Sequence, residues 1–174
     1  MNNIDDPGDK IFVPNAGLSI VAVYLPQFFD SLKLTIDTAF INNDAAIRAT
    51  LLTQYIVTGE TVFHDHDLVL NKVMCGLEIE KPVPESIEVT SDETAEAASL
   101  LHAVISHWQK LGNTSIEGLR ETFLIRSGRI FEEDQSWILD VESRSFDILL
   151  DYLPWSYNFI KLPWMKKPLT VNWR

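Results

Sequence analysis

Ser127-Gly-Arg-Ile-Phe-Glu-Glu-Asp-Gln-Ser-Trp-Ile-Leu-Asp-Val-Glu142 is where the apolar period of this chain changes. Before it, apolar residues recur every three or four positions. Within it they alternate, so that Trp137, Leu139 and Val141 share one face. The spacing predicts two strands of a hairpin, Arg129 to Phe131 and Trp137 to Glu142. Helices over the N-terminal two-thirds, followed by a small antiparallel β-sheet at the C-terminus, make the expected fold class α+β.

The helical part is read from its punctuation. Thr90 stands three residues before Glu93, the spacing of a capping box, and Asp92, Glu93 and Glu96 suit the positive end of a helix dipole. Ala97, Leu101, Val104, Trp108 and Leu111 form the apolar stripe of that helix, which Gly112 is expected to end. Asn42-Asn43-Asp44 reads as a helix start and Gly59 as its stop, with Ile47, Leu51, Leu52, Tyr55 and Ile56 between them. A shorter helix is expected from about His66 to Cys75, closed by Gly76, and another from Thr114, spaced to Glu117 as a second capping box, through about Leu124. From Ala16 the pattern is helical, with a kink or restart at Pro26, which lacks a backbone donor. Residues 77–90 hold Pro82 and Pro84 and read as an extended connection. Downstream of the hairpin, Ser143 can cap a helix with Phe146, Leu149, Leu150 and Leu153 inward, before a tail that is aromatic and partly extended. Ile11 to Val13 is a short strand or edge segment, residues 1–10 are expected to be a flexible leader, and residues 11–174 a single domain.

Composition narrows the function classes. The chain has 174 residues, 46% hydrophobic and 22% charged, the balance of a folded globular protein. Its net charge of −11 argues against nucleic acid or a membrane surface as the main partner, because both need a basic footprint. The longest apolar run, Ala16 to Leu25, is about ten residues, roughly half a bilayer crossing. The start is acidic where a secretory signal would be basic, so synthesis in the cytoplasm is expected, with any export by a route other than a signal peptide. Cys75 is the single cysteine, which excludes a disulfide framework and a Cys-rich zinc site.

Candidate chemistry is thin. His64-Asp65-His66-Asp67 holds metal-ligand types, yet a cap for the following helix with surface histidines explains it more simply. His102 and His107 sit five apart on one helix, rotated by about 140°, and cannot pair as ligands. Cys75 lies among Val73 and Met74 with nothing local to activate its thiol. The span from Glu78 to Glu96 carries seven acids and one lysine and reads as a solvated connection or an acidic docking surface. No phosphate-binding loop, dinucleotide fingerprint or nucleophile elbow occurs, and the expectation is a protein that is not an enzyme and needs no cofactor or metal.

The C-terminal end stands out. Leu153-Pro154-Trp155 recurs as Leu162-Pro163-Trp164, followed by Met165-Lys166-Lys167-Pro168 and a final Trp173-Arg174. Four of the five tryptophans fall in the last 38 residues, and residues 161–174 contain four cations and no acid. Trp155 and Trp137 are read first as caps on the core of the sheet. For Trp164 and Trp173, flanked by prolines and cations, an interaction surface is an equal reading, since Trp and Arg dominate interface energetics. Trp155, Trp164, Met165, Lys166, Lys167, Trp173 and Arg174 are the candidate partner-binding residues.

Several stretches carry a resemblance: Leu51-Leu-Thr-Gln-Tyr to Thr58-Gly-Glu, Leu68-Val-Leu-Asn-Lys-Val-Met-Cys-Gly-Leu, and Asn113-Thr-Ser-Ile-Glu-Gly-Leu-Arg-Glu-Thr-Phe-Leu. With them go Asn15-Ala-Gly-Leu, Leu25-Pro-Gln-Phe-Phe, the two Leu-Pro-Trp motifs, Trp164-Met165 and Val171-Asn172-Trp173. In this order and spacing the chain resembles the tape-measure family of contractile injection systems from about residue 12 onward. The resemblance implies a structural component of a phage-tail-like particle, and it corresponds to the C-terminal part of the usually longer family proteins. At about 1.5 Å per residue, even all of this chain as one helix would reach only about 260 Å. The expectation is therefore a short form that docks at the end or in the lumen of the inner tube, as a plug, tip contact or cap adaptor. Its partners would be tube, cap or baseplate and spike proteins, with three or six copies on the particle axis. A soluble chaperone for a longer tape-measure protein, absent from the mature particle, is the alternative.

Overall fold

The computed structural model describes residues 10–174; residues 1–9, which hold almost all of the expected leader, lie outside the described part. Five strands form a mixed sheet in the order β1-β4-β5-β7-β6: β1 Ile11–Val13, β4 Gly128–Glu133, β5 Ser136–Val141, β6 Phe159–Ile160 and β7 Leu169–Asn172. The hairpin is present as β4 and β5, paired from Gly128↔Val141 to Glu133↔Ser136, with Asp134 at φ 55° in the turn between them. Asp tolerates that left-handed conformation better than most residues.

Two features correct the expected sheet. β7 runs parallel to β5, from Trp137↔Leu169 to Asp140↔Asn172, so the sheet is mixed rather than antiparallel. Its outer member on the other side, β1, comes from the start of the described chain and pairs with β4 at Val13↔Gly128. A parallel neighbour requires a crossover connection, and residues 142–168 provide it through a 3₁₀ helix at Ser145–Tyr152. A second, two-stranded sheet joins β2 Thr35–Ile36 to β3 Ala39–Phe40.

The helices follow their caps closely. Helix α3, Asn43–Thr58, is capped by Asn42 Oδ1, which accepts from Ala45 N at 2.8 Å, and it stops at Gly59, φ 73°. Helix α5, Ser91–His107, has the full capping box: Glu93 N donates to Thr90 Oγ1 at 3.1 Å and Thr90 N donates to Glu93 Oε1 at 2.9 Å. It ends at His107, five residues before Gly112, because the chain tightens into a 3₁₀ turn at Gln109–Leu111. Ahead of α3 lie α1, Leu18–Val21, a 3₁₀ turn and α2, Leu25–Ser31, with Pro26 in the first turn of α2 where no donor is missed. The His66–Cys75 helix is a 3₁₀ turn, Asp65–Leu68, running into α4, Val69–Met74. The cap of α6, Ile116–Leu119, is Ser115 rather than Thr114, whose hydroxyl instead donates to Leu111 O at 2.7 Å. A π-type turn, Arg120–Leu124, continues α6.

The core lies between the inner sheet face and the helices. Ile130, Leu139, Leu169 and Val171 pack from the sheet against Leu18, Leu52, Ile56, Leu70, Leu101 and Trp108. Trp108 is fully buried and donates its indole N–H to Leu149 O at 3.0 Å. In the 3₁₀ helix after β5, Leu150 and Asp147 point inward, while Phe146, expected inside, is exposed. The reason is Asp147, whose carboxylate accepts from Arg144 N at 2.8 Å and so starts that helix in place of Ser143.

Candidate interaction surface

The C-terminal segment lies along its own body. Trp155 is half-buried, donates to Ile20 O at 2.8 Å and stands edge-on to Tyr24 at 5.2 Å. Trp164 is also half-buried, donates to Met74 O at 2.8 Å and packs on Phe29 and Phe40. Its backbone passes so close to Gly76, itself at φ 73°, that a Cβ there would lie 2.4 Å from Trp164 O. Met165 and Trp173 are buried. The Trp173 indole donates to Asp147 Oδ2 at 2.9 Å, and the Arg126 guanidinium stacks 5.1 Å over its ring. Lys166, Lys167 and Arg174 remain at the surface, paired with Glu78, Glu132 and Asp151 respectively. Of the seven residues singled out in the sequence, then, four anchor the segment and three present charge.

Behind Trp173 is the most enclosed ion pair among the described residues. Arg126 and Asp147 are each almost fully buried and meet at 2.8 and 3.0 Å in a two-pronged contact. Burial pushes the Asp147 carboxyl up, but hydrogen bonds from Arg126, Arg144 N and Trp173 outweigh it and hold the group below the usual carboxylate range.

The outer face of the sheet carries two of the exposed aromatic side chains, Phe12 and Phe159. Registered pairing places Phe12, Arg129, Asp140 and Asn172 side by side in one row across four strands, and Phe131, Ile138, Thr170 and Phe159 in the next. Phe12 and Phe159, at opposite sides of this face, are 50% and 61% exposed, while Phe131 and Ile138 between them are half-buried. Lys10 lies 4.6 Å over the Phe131 ring and 4.0 Å from Asp140, which also accepts from Asn172 Nδ2 at 2.8 Å. A shallow groove of about 370 Å³ runs beside Phe12, Arg129 and Asp140. One row thus carries Arg129 and Asp140 on the neighbouring strands β4 and β5, the next is largely apolar from Phe131 to Phe159, and this mixture of aromatic, aliphatic and charged side chains is compatible with a protein contact surface.

The family model for the contractile injection system tape measure protein matches residues 2–173. The chain belongs to this family. No match to it was found among curated proteins or solved structures. The tape measure family is a structural one, defined by its place in an injection system rather than by a reaction.

In this tape measure family member His64 and His66 are neighbours, and neither is grouped with Cys75, His102 or His107 as a metal-holding set among the described residues. The His64 and His66 rings stack at 5.4 Å, and His66 lies 3.5 Å from Asp67. Among the described residues, no group of three or more His, Cys, Asp or Glu side chains is arranged to hold a metal ion. Cys75 is buried, and burial pushes its thiol up to about 12, which leaves it the protonated and poorly nucleophilic form. His107 Nδ1 is 2.7 Å from the Tyr24 hydroxyl, and His102 is exposed. No helix among the described residues is long and apolar enough to cross a membrane.

Phe12, Ile138 and Phe159 were missed by sequence reasoning, which followed the inward set of the hairpin. The signal was available in the same alternation: once Trp137 and Leu139 face the core, Ile138 must face out.

Proposed function

We propose that this chain is a structural component of a contractile injection particle, docking at the end or in the lumen of the inner tube as a plug, tip contact or cap adaptor. The observation that carries this reading is the shape of the fold. Its longest helix, α5, has 17 residues, about 25 Å, and the rest of the described chain packs around one core. Residues 10–174 thus form a compact docking body, whereas setting a tube length calls for an extended rod. The open sheet face supplies the contact, with Phe12, Phe131, Ile138 and Phe159 against an apolar patch of the tube, cap or baseplate. Lys166, Lys167 and Arg174, each held at the surface by a carboxylate of the chain itself, can exchange those partners for acidic groups of a neighbour. Three or six copies on the particle axis fit a position inside a symmetric tube. The protein is made in the cytoplasm and travels within the particle, which can be released from the cell.

Mass spectrometry of purified particles, with electron cryomicroscopy of particles from cells that lack the protein, tests this. Stoichiometric presence, together with missing, uncapped or wrongly sized particles in its absence, is the expected result. Normal particles without it would overturn the reading. Absence from mature particles that nevertheless fail to assemble without it would replace the reading with the chaperone role.

A further inference from the structure

A partner that covers both Phe12 and Phe159 also covers Arg129. Phe12 lies on β1 and Phe159 on β6, the two edges of the sheet, and Arg129 stands beside Phe12 on β4, one row from Phe131. Its side chain is exposed and lines the shallow groove together with Phe12, Asp140 and Glu142. Both carboxylates of that groove have cations of their own. Asp140 lies opposite Arg129 across the strands, yet its Oδ2 is 4.0 Å from Lys10 Nζ and its Oδ1 accepts from Asn172 Nδ2 at 2.8 Å. Glu142 lies 3.2 Å from an Arg144 guanidinium nitrogen. Among the described residues, Arg129 takes part in none of the ion pairs. Three cations, Lys10, Arg129 and Arg144, thus face two acids, and the guanidinium left over is that of Arg129.

In water an unpaired guanidinium costs the fold nothing. Under a docked protein it loses its hydration, and a charge buried at an interface without an opposite one is strongly unfavourable. The missing charge therefore has to come from the other side. We propose, resting on the docking role of this sheet face, that its partner presents an aspartate or glutamate side chain to Arg129, set within the apolar patch that meets Phe12, Phe131, Ile138 and Phe159. The guanidinium fork donates two parallel hydrogen bonds to a carboxylate, which fixes the orientation of the partner as well as its charge. A single carboxylate fits where a polyanion does not, because Asp140 and Glu142 stand in the same groove and the whole chain carries a net charge of −11. A surface that offers lysine or arginine at this point is rejected, so Arg129 sets the specificity of the face while the aromatic side chains supply its contact area.

The test is competition for places in the particle. Cells make the wild-type protein together with one variant, and mass spectrometry compares their ratio in purified particles with their ratio in the lysate. Arg129→Gln should be depleted at least about tenfold. Arg129→Lys should be depleted less, since the charge stays and the fork is lost. Asp140→Asn should be enriched, because it removes a carboxylate beside the incoming one. Lys110→Gln, on the 3₁₀ turn outside the sheet, makes the same change in net charge as Arg129→Gln and should match wild type. Thermal unfolding within about 2 °C of wild type shows that each variant is folded. Arg129→Gln incorporated as well as wild type overturns the acidic partner and leaves docking intact. Enrichment of Arg129→Gln, or depletion of Asp140→Asn, overturns it too, since the partner would then bring a cation. Equal depletion of Lys110→Gln overturns it by assigning the loss to overall charge. Absence of the wild-type protein itself from particles overturns the docking role, and the acidic partner with it, before any variant is compared.

Discussion

Replacing Asp147 by Ala should be the most damaging single change in the C-terminal third. The carboxylate is 2% exposed and accepts four hydrogen bonds: from Arg126 Nη1 and Nη2, from the Trp173 indole and from Arg144 N. Its removal strands a buried guanidinium, opens the start of a helix and unpins Trp173. Breaking one side of a buried ion pair costs about 3–5 kcal/mol. For a chain of this length, each kcal/mol lowers Tm by about 2–4 °C, so a drop on the order of 10–15 °C is expected. Urea and thermal unfolding followed by circular dichroism measure it. The sign of the pH effect follows from the same contacts. The folded carboxyl is held below its unfolded value of about 3.9, so its stabilisation is complete above that pH and is lost as pH falls through the lower folded value. Wild-type protein should therefore lose stability below about pH 4 more steeply than Asp147→Asn. A loss for Asp147→Ala of under about 1 kcal/mol would refute the reasoning, since it would mean that Arg126 reaches water once its partner is gone.

Gly76→Ala should destabilise by about 1–3 kcal/mol in urea unfolding, because a Cβ meets the Trp164 carbonyl and the positive φ is strained for any other residue. Thr90→Ala removes one half of the α5 capping box and should cost about 1 kcal/mol by the same assay. Cys75 should resist a thiol reagent at pH 8 in the native protein and react once guanidinium unfolds it; fast native labelling would contradict its burial. The pair Phe12→Ser and Phe159→Ser should leave Tm within about 2 °C of wild type, as exposed substitutions do, while lowering the amount of protein recovered in particles.

Local signals in the sequence were legible and distant ones were not. Asn42 and Gly59 bracket α3, and Thr90 with Glu93 starts α5, because each cap is a contact between residues three or four apart. The hairpin was legible for the same reason, its partners being neighbours across a tight turn. The pairing of Ile11–Val13 with β4, and the parallel seating of β7 on β5, depend on residues far apart in sequence and leave no local trace. The tail shows a different limit. Its tryptophans, prolines and cations have an interface composition, yet Leu169, Val171 and Trp173 alternate with Thr170 and Asn172, and that alternation is what turns Trp173 inward. Composition says what a segment can bind; period says which of its side chains are available.

The sheet order also fixes when this protein can finish folding. β1 is synthesised before β4 and waits for it as its partner, and β5 waits for the four residues of β7, which lie beyond residues 142–168. On the ribosome the helices can form early, while the sheet stays incomplete until β7 emerges, with apolar strands lacking their neighbours in the meantime. A chain cut before Leu169 would keep the open hairpin edge of β5 and lose the indole that covers Asp147. A product that lacks β7 is thus poised to pair through that open edge and aggregate rather than to persist as a half-built sheet.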